Sequence, residues 1–234
     1  MCRRTRIRTT VLTWVKTAIL AGYSLCVHVR VVGRVALPFR RGFIVVANHL
    51  NGADSFVIQI ALRTRVFFAT QARWFRSRFS RYFMRNLCDA IPVDGDDPLG
   101  NVAGMRDCLE TLRLGGVVGI YPEGRFHSGP PDRIANGAAY LAVKSGAPIV
   151  PVYMRNFRLR QQIDDSTLNR ECWTGFLSVA ENLFNTDFEV AVGDPIVPDP
   201  GPPAGRDDLN RALDHINAEL RDEFQQLAAL TVRS

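Results

Sequence analysis

Lysine is almost missing from this 234-residue chain: Lys16 and Lys144 are the only two, although lysine and arginine together number 29. The net charge of +6 is therefore an arginine charge, and that skew weakens any argument from basicity alone to an anionic partner. Cysteine is scarce and unpatterned. Cys2, Cys26, Cys88, Cys108 and Cys172 form no CxxC pair and keep no regular spacing, which supports neither a zinc site nor a disulfide framework. A reducing, intracellular compartment is the setting that fits. Long apolar runs are absent as well. The uncharged stretch Thr17 to Val27 is too short to cross a bilayer, and Lys16 interrupts any longer one. No GxSxG elbow occurs, so the serine acyl-enzyme of the hydrolases has no carrier here. Hydrophobic residues at 47% and charged residues at 22% are ordinary globular values, disorder is not indicated, and the length suits about one domain with one core.

What the chain does contain is an apolar run, Ile44-Val45-Val46-Ala47, that ends in the polar turn Asn48-His49-Leu50-Asn51-Gly52-Ala53-Asp54. Residues 43–47 read as a buried strand. His49 and Asp54 follow beyond its C-terminal end, where open α/β sheets place their ligands. On a regular helix, five residues turn through roughly 140° and would keep the two side chains apart. Asn51-Gly52 instead marks a turn that can fold Asp54 back toward His49. A carboxylate so placed fixes the imidazole tautomer and leaves the second ring nitrogen as a base. The plainer alternative makes Asp54 an N-cap of the following helix and His49 a turn residue.

Before this turn, arginines at 3, 4, 6 and 8 lead into a mostly apolar segment. At helical period Val11, Val15, Ala18, Ile19 and Gly22 line one side, with Thr13, Lys16, Thr17 and Ser24 on another. Three readings fit: an interfacial helix on an anionic leaflet, a core helix, or a secretory signal, for which no small-residue cleavage site is evident. A strand-like alternation then runs from Val29 to Val35.

After the turn come a helix over 54–63 and a strand over 66–69. In the Arg-rich stretch 73–85, Phe75, Phe79, Tyr82 and Phe83 share a helical face beside Arg78, Arg81 and Arg85. This is a surface helix at headgroup depth or a helix packed on the core. Nucleic acid is not expected, because neither a helix-turn-helix nor an RNP-like motif accompanies it. The acidic cluster Asp94-Gly95-Asp96-Asp97 reads as a solvated loop rather than a metal site. Residues 99–114 form a helix and 117–121 a buried strand that opens into Pro122-Glu123-Gly124-Arg125, the second polar loop directly beyond an apolar strand. A small-residue helix covers 135–145. Prolines mark Pro148–Tyr153 as an edge or bulged strand. Phe188–Val192 is a strand and 206–230 an amphipathic helix. The alternation of strands and helices argues for an α/β fold.

With both loops in view the chain resembles the glycerolipid acyltransferases of the 1-acyl-sn-glycerol-3-phosphate acyltransferase type, over roughly residues 29–155. The family's NHxxxxD block stands as Asn48 to Asp54, its PEG loop as Tyr121-Pro122-Glu123-Gly124, and its Val-Pro block as Ile149-Val150-Pro151-Val152. The resemblance implies a mixed, largely parallel sheet flanked by helices. It implies transfer of a fatty acyl group from an acyl-CoA or acyl-carrier-protein thioester to the hydroxyl of a lysolipid such as lysophosphatidic acid, with no further cofactor and no metal. His49 is then the general base and Asp54 its orienting partner. Asn48, Glu123, Gly124, Arg125, Arg73 and Arg133 are the expected substrate contacts. The expected layout is an interfacial helix over 1–28 and an acyltransferase domain over 29–234, on the cytoplasmic face of the cell membrane. The chain departs from the family at its second block, where Asp89-Ala90-Ile91-Pro92-Val93-Asp94-Gly95 has neither the initial glycine nor the arginine that would hold an acceptor phosphate.

Overall fold

The computed structural model describes residues 3–33, 37, 42–94, 98–124, 126–127, 129–131, 133–156, 187–201 and 203–232. The strands are β1 (His28–Gly33), β2 (Phe43–Ala47), β3 (Val66–Gln71), β4 (Ile91–Val93), β5 (Val117–Ile120), β6 (Ile149–Asn156) and β7 (Asp187–Val192). They form one sheet in the order β1-β7-β6-β2-β5-β3-β4. Every pairing is parallel except β6 with β7, so the sheet is mixed and largely parallel, as expected. The α-helices are α1 (Arg3–Cys26), α2 (Asp54–Leu62), α3 (Arg78–Asn86), α4 (Pro98–Arg113), α5 (Gly137–Ser145) and α6 (Arg206–Val232).

β2 lies near the middle of the sheet with all five residues buried, which is why its sequence is a continuous apolar run rather than an alternation. Phe43, Val45 and Ala47 pack with Tyr23, Val27, Val57, Ile58 and Leu62 on the α1/α2 side. Ile44 and Val46 pack with Leu141, Ile149, Leu220 and Phe224 on the α5/α6 side. Burying each such side chain contributes about 1.5–3 kcal/mol. The strand that carries His49 at its end is thus gripped from both faces.

Two expectations about local structure are corrected. The stretch 73–85 is not one helix: a 3-10 turn over Ala72–Phe75 is followed by α3, because the Ser77 hydroxyl accepts the Ser80 N–H at 3.0 Å and starts a new helix. Phe75 is buried while Phe79 and Tyr82 are exposed, so the aromatics do not share one face. β6, despite Pro151, is an interior strand between β7 and β2. Pro151 faces Gly193, just past the end of β7, and its carbonyl accepts the Gly193 N–H at 2.9 Å. Its missing N–H therefore costs only a terminal rung of the ladder.

β1 covers the start of the predicted 29–35 strand, and residues 34–35 lie outside the described residues, as do 95–97 of the acidic loop and 157–186. Among the described residues no helix is long and apolar enough to cross a membrane.

Candidate active site

The chain leaves β2 at Ala47 and immediately fixes itself to the neighbouring strand. Asn48 is fully buried; its Nδ2 donates to the Met154 carbonyl at 2.9 Å and its Oδ1 accepts the Met154 N–H at 2.7 Å. Expected to touch substrate, Asn48 instead extends the β2–β6 pairing by one side-chain rung. Asn51 Oδ1 then accepts the Ala53 N–H at 2.8 Å, closing an Asx turn that delivers Asp54 to the start of α2.

Asp54 is fully buried. Its carboxylate does not cap α2 forward, because the N-cap position is Ala53 without a side-chain bond. It reaches backward. Oδ2 accepts the N–H of Leu50 at 2.5 Å and of Asn51 at 2.8 Å, and lies 2.8 Å from His49 Nδ1. An oxygen that already accepts two backbone N–H groups meets the imidazole as an acceptor too. The proton therefore sits on His49 Nδ1, and Nε2 presents its lone pair. This is the arrangement of a general base with its orienting acid.

The PEG loop completes the surroundings. His127 N–H donates to the His49 carbonyl at 2.7 Å and joins the two loops. Tyr121 stacks on the His49 ring at 3.8 Å and 6°, and Phe126 leans on it at 4.3 Å and 49°. Gly124 has φ +65°, a conformation glycine adopts freely, and its carbonyl accepts the Gln71 amide at 2.9 Å. Burial, together with the negative charge of Asp54, holds the Tyr121 phenol well above its ordinary ionisation range.

A cavity of about 630 Å³ starts at His49, Gly124 and Phe126 and runs between α1, α2 and the β3/α3 segment to Asp89 and Arg65. Its size is that of a small-molecule site. Ile19, Leu20, Phe56, Phe68, Met84 and Leu87 give it apolar walls. Phe68, Ala69, Thr70 and Gln71 of β3 run along it. At the far end Lys16 donates to Asp89, and Arg65 donates to both carboxylate oxygens at 2.7 and 2.5 Å. Asp89 holds φ +52°, in the left-handed region that glycine favours.

Of the remaining expected contacts, Arg73 and Gly124 line the cavity. Arg73 also lies over the Trp74 ring at 5.9 Å. Glu123 is half-buried behind the loop, Arg133 is exposed, and neither lines the cavity; Arg125 lies outside the described residues. Sequence reasoning places Tyr121 in the PEG block but gives it no role at the site, and it misses Lys16 with Asp89, for which there was no signal.

The fold and the site together define a class: an α/β protein whose His49 imidazole, held by a buried carboxylate, opens on an apolar cavity. The family model described as Acyltransferase matches residues 28–155, more than half of the chain, and the chain belongs to that family. Over 68 residues it is 31% identical to the chloroplastic 1-acyl-sn-glycerol-3-phosphate acyltransferase BAT2 of Brassica napus. That match takes in 29% of this chain and spans a fifth (20%) of the length of the plant protein. The crystal structure of the 1-acyl-sn-glycerophosphate acyltransferase PlsC of Thermotoga maritima superposes with a TM-score of 0.60 at 21% identity, over 100% of this chain and 85% of that one, and shares its fold.

Proposed function

We propose that the protein is an O-acyltransferase that moves a fatty acyl group from a coenzyme A or acyl-carrier-protein thioester to the hydroxyl of a lysophospholipid such as lysophosphatidic acid. The observation that carries this reading is the 2.8 Å His49–Asp54 pair at the mouth of an apolar cavity, in a chain of the acyltransferase family. His49 Nε2 takes the proton of the acceptor hydroxyl as its oxygen attacks the thioester carbonyl. The carbon–sulfur bond then breaks, and the leaving thiolate takes the proton back from the imidazolium to depart as a thiol. A base so positioned typically contributes about 10²–10⁴ in rate. The rest comes from holding the two substrates together.

The cavity along β3 accommodates the aliphatic tail. Arg73, which lines the cavity, is the cation we assign to the acceptor phosphate in place of the missing second-block arginine.

Membrane contact at the cytoplasmic leaflet, peripheral rather than spanning, belongs to the same proposal. Thr13, Lys16 and Thr17 of α1 face the cavity, while Trp14 (71% exposed), Val15, Ala18, Gly22 and Leu25 (88%) face outward. Phe79 and Tyr82 are exposed on α3 beside Arg78, Arg81 and Arg85. Apolar side chains next to arginines suit an anionic bilayer surface.

The test is thiol release from a long-chain acyl thioester, offered as the coenzyme A or carrier-protein form, across a panel of lysolipids in mixed vesicles. Release that requires one of the acceptors supports the proposal. Thiol release that is absent with every donor and acceptor overturns it.

A further inference from the structure

Three rings stand in a column at the end of the sheet. The His49 imidazole lies on Tyr121 at 3.8 Å, nearly parallel at 6°, and Tyr121 lies on Phe68 at 5.3 Å and 10°. The Phe126 ring also approaches the imidazole, at 4.3 Å and tilted by 49°. The hydrogen bond to Asp54 fixes one edge of the imidazole but leaves its plane free to tilt about that bond. The parallel Tyr121 face removes the tilt, and the tilted Phe126 ring restricts it further. They do more once the ring is protonated, because an aromatic face attracts a cation, most strongly where water is excluded.

The Tyr121 hydroxyl is fully buried and has no hydrogen-bond partner among the described residues. Its phenol also resists ionisation, through burial first and the Asp54 charge second. The hydroxyl therefore anchors the ring to none of the described residues, and what the site uses is the face of the ring. The column has a further requirement: a side chain at Gly119 would put its Cβ 2.4 Å from the Phe68 ring. Gly119 on β5 thus leaves room for Phe68 to back Tyr121.

We propose that Tyr121 and Phe126 are positioning residues for His49, clamping the imidazole in the plane that points Nε2 at the acceptor hydroxyl and stabilising the imidazolium that proton transfer creates. The inference rests on the acyl-transfer reading for its kinetics, but the clamp itself has a readout that needs no substrate.

The experiment compares wild type with Tyr121→Leu, Tyr121→Phe and Phe126→Leu, using imidazole-selective proton NMR and acyl-transfer kinetics. With Tyr121 stacked on the ring and Phe126 tilted against it, the His49 carbon-bound protons resonate upfield of those of an unstacked histidine. Tyr121→Leu removes most of that displacement, Tyr121→Phe keeps it, and Phe126→Leu removes part. In kinetics Tyr121→Leu lowers kcat roughly tenfold with KM changed less than about twofold, as expected for an interaction of cation–π size made with the charged ring. Tyr121→Phe recovers most of that loss. If Tyr121→Leu fails to fold, Phe126→Leu carries the test, with a smaller fall in kcat. Unchanged His49 proton positions in folded Tyr121→Leu or Phe126→Leu would overturn the clamp, as would a loss confined to KM. A preserved ring-current pattern in a protein that transfers no acyl group would instead overturn the acyl-transfer reading and leave the clamp standing.

Discussion

Lys16 of α1 donates its ammonium to the carboxylate of Asp89, 73 residues away in sequence, and Arg65 holds the same carboxylate from the other side. Asp89 is nearly buried at 7% exposure, and the pair ties α1 across the cavity to the start of β4. Because Asp89 also sits at φ +52°, its two roles separate by substitution. Asp89→Ala loses the ion pairs and keeps the backbone strain, and is expected to cost about 2–4 kcal/mol. Asp89→Gly loses the pairs but relieves the strain, and is expected to cost about 1 kcal/mol less. Urea unfolding measures both. Equal costs would show that the left-handed backbone carries no penalty there.

Tyr23, near the C-terminal end of α1, is buried to 4% and packs its ring 5.7 Å from that of Phe56. Burial, with a contribution from Asp54, raises its phenol above the ordinary value of 10.0. The unfolded chain then loses this proton near pH 10 while the folded chain keeps it. Below that pH the stabilising contribution is complete, and it is lost as pH rises toward the folded value, by up to about 1.4 kcal/mol per pH unit. Tyr23→Phe removes this alkaline slope. At pH 7 the variant is expected to match or exceed wild type, since the hydroxyl has no hydrogen-bond partner among the described residues. Denaturant titrations at pH 8, 9.5 and 10.5 check the sign.

Gly119→Ala drives a methyl group into the Phe68 ring. Overpacking of this kind costs about 1–3 kcal/mol. Because Phe68 backs Tyr121, the displaced ring also disturbs His49, and kcat is expected to fall several-fold. Thermal unfolding combined with acyl-transfer rates tests the link; a stability loss with full kcat would break it.

The outward face of α1 gives a fourth expectation. Trp14→Glu replaces a large, 71% exposed aromatic with a charge. Removing one such apolar contact from a bilayer surface is expected to weaken partition onto anionic vesicles roughly tenfold or more. Co-sedimentation at low and high salt measures it, and binding that falls with salt in wild type is the companion expectation.

Much of this site was legible because it is local. The apolar run of β2, the Asn51-Gly52 turn and the five-residue spacing from His49 to Asp54 all lie within a dozen residues, and the turn's own N–H groups hold the carboxylate. The sequence points to Asn48 as a substrate contact; only the three-dimensional placement of Met154 shows that its amide is used on the backbone. The single helix expected over 73–85 failed at Ser77, where a hydroxyl cap outweighed the aromatic periodicity. Pro151 misled because proline usually marks a sheet edge, whereas here the partner strand ends first. Lys16 with Asp89, and Tyr121 with His49, are pairings across 73 residues and between two loops, and no spacing rule announces either.

The central claim is that His49 takes a proton from the acceptor while Asp54 holds its ring. The most direct measurement is thiol release by wild type, His49→Ala and Asp54→Asn on one acyl thioester and one responsive lysolipid, each variant first shown to be folded by circular dichroism. The account predicts a fall of about 10²–10⁴ in kcat for His49→Ala and a large fall for Asp54→Asn, with thioester binding retained in both. Near wild-type turnover in folded His49→Ala would contradict it.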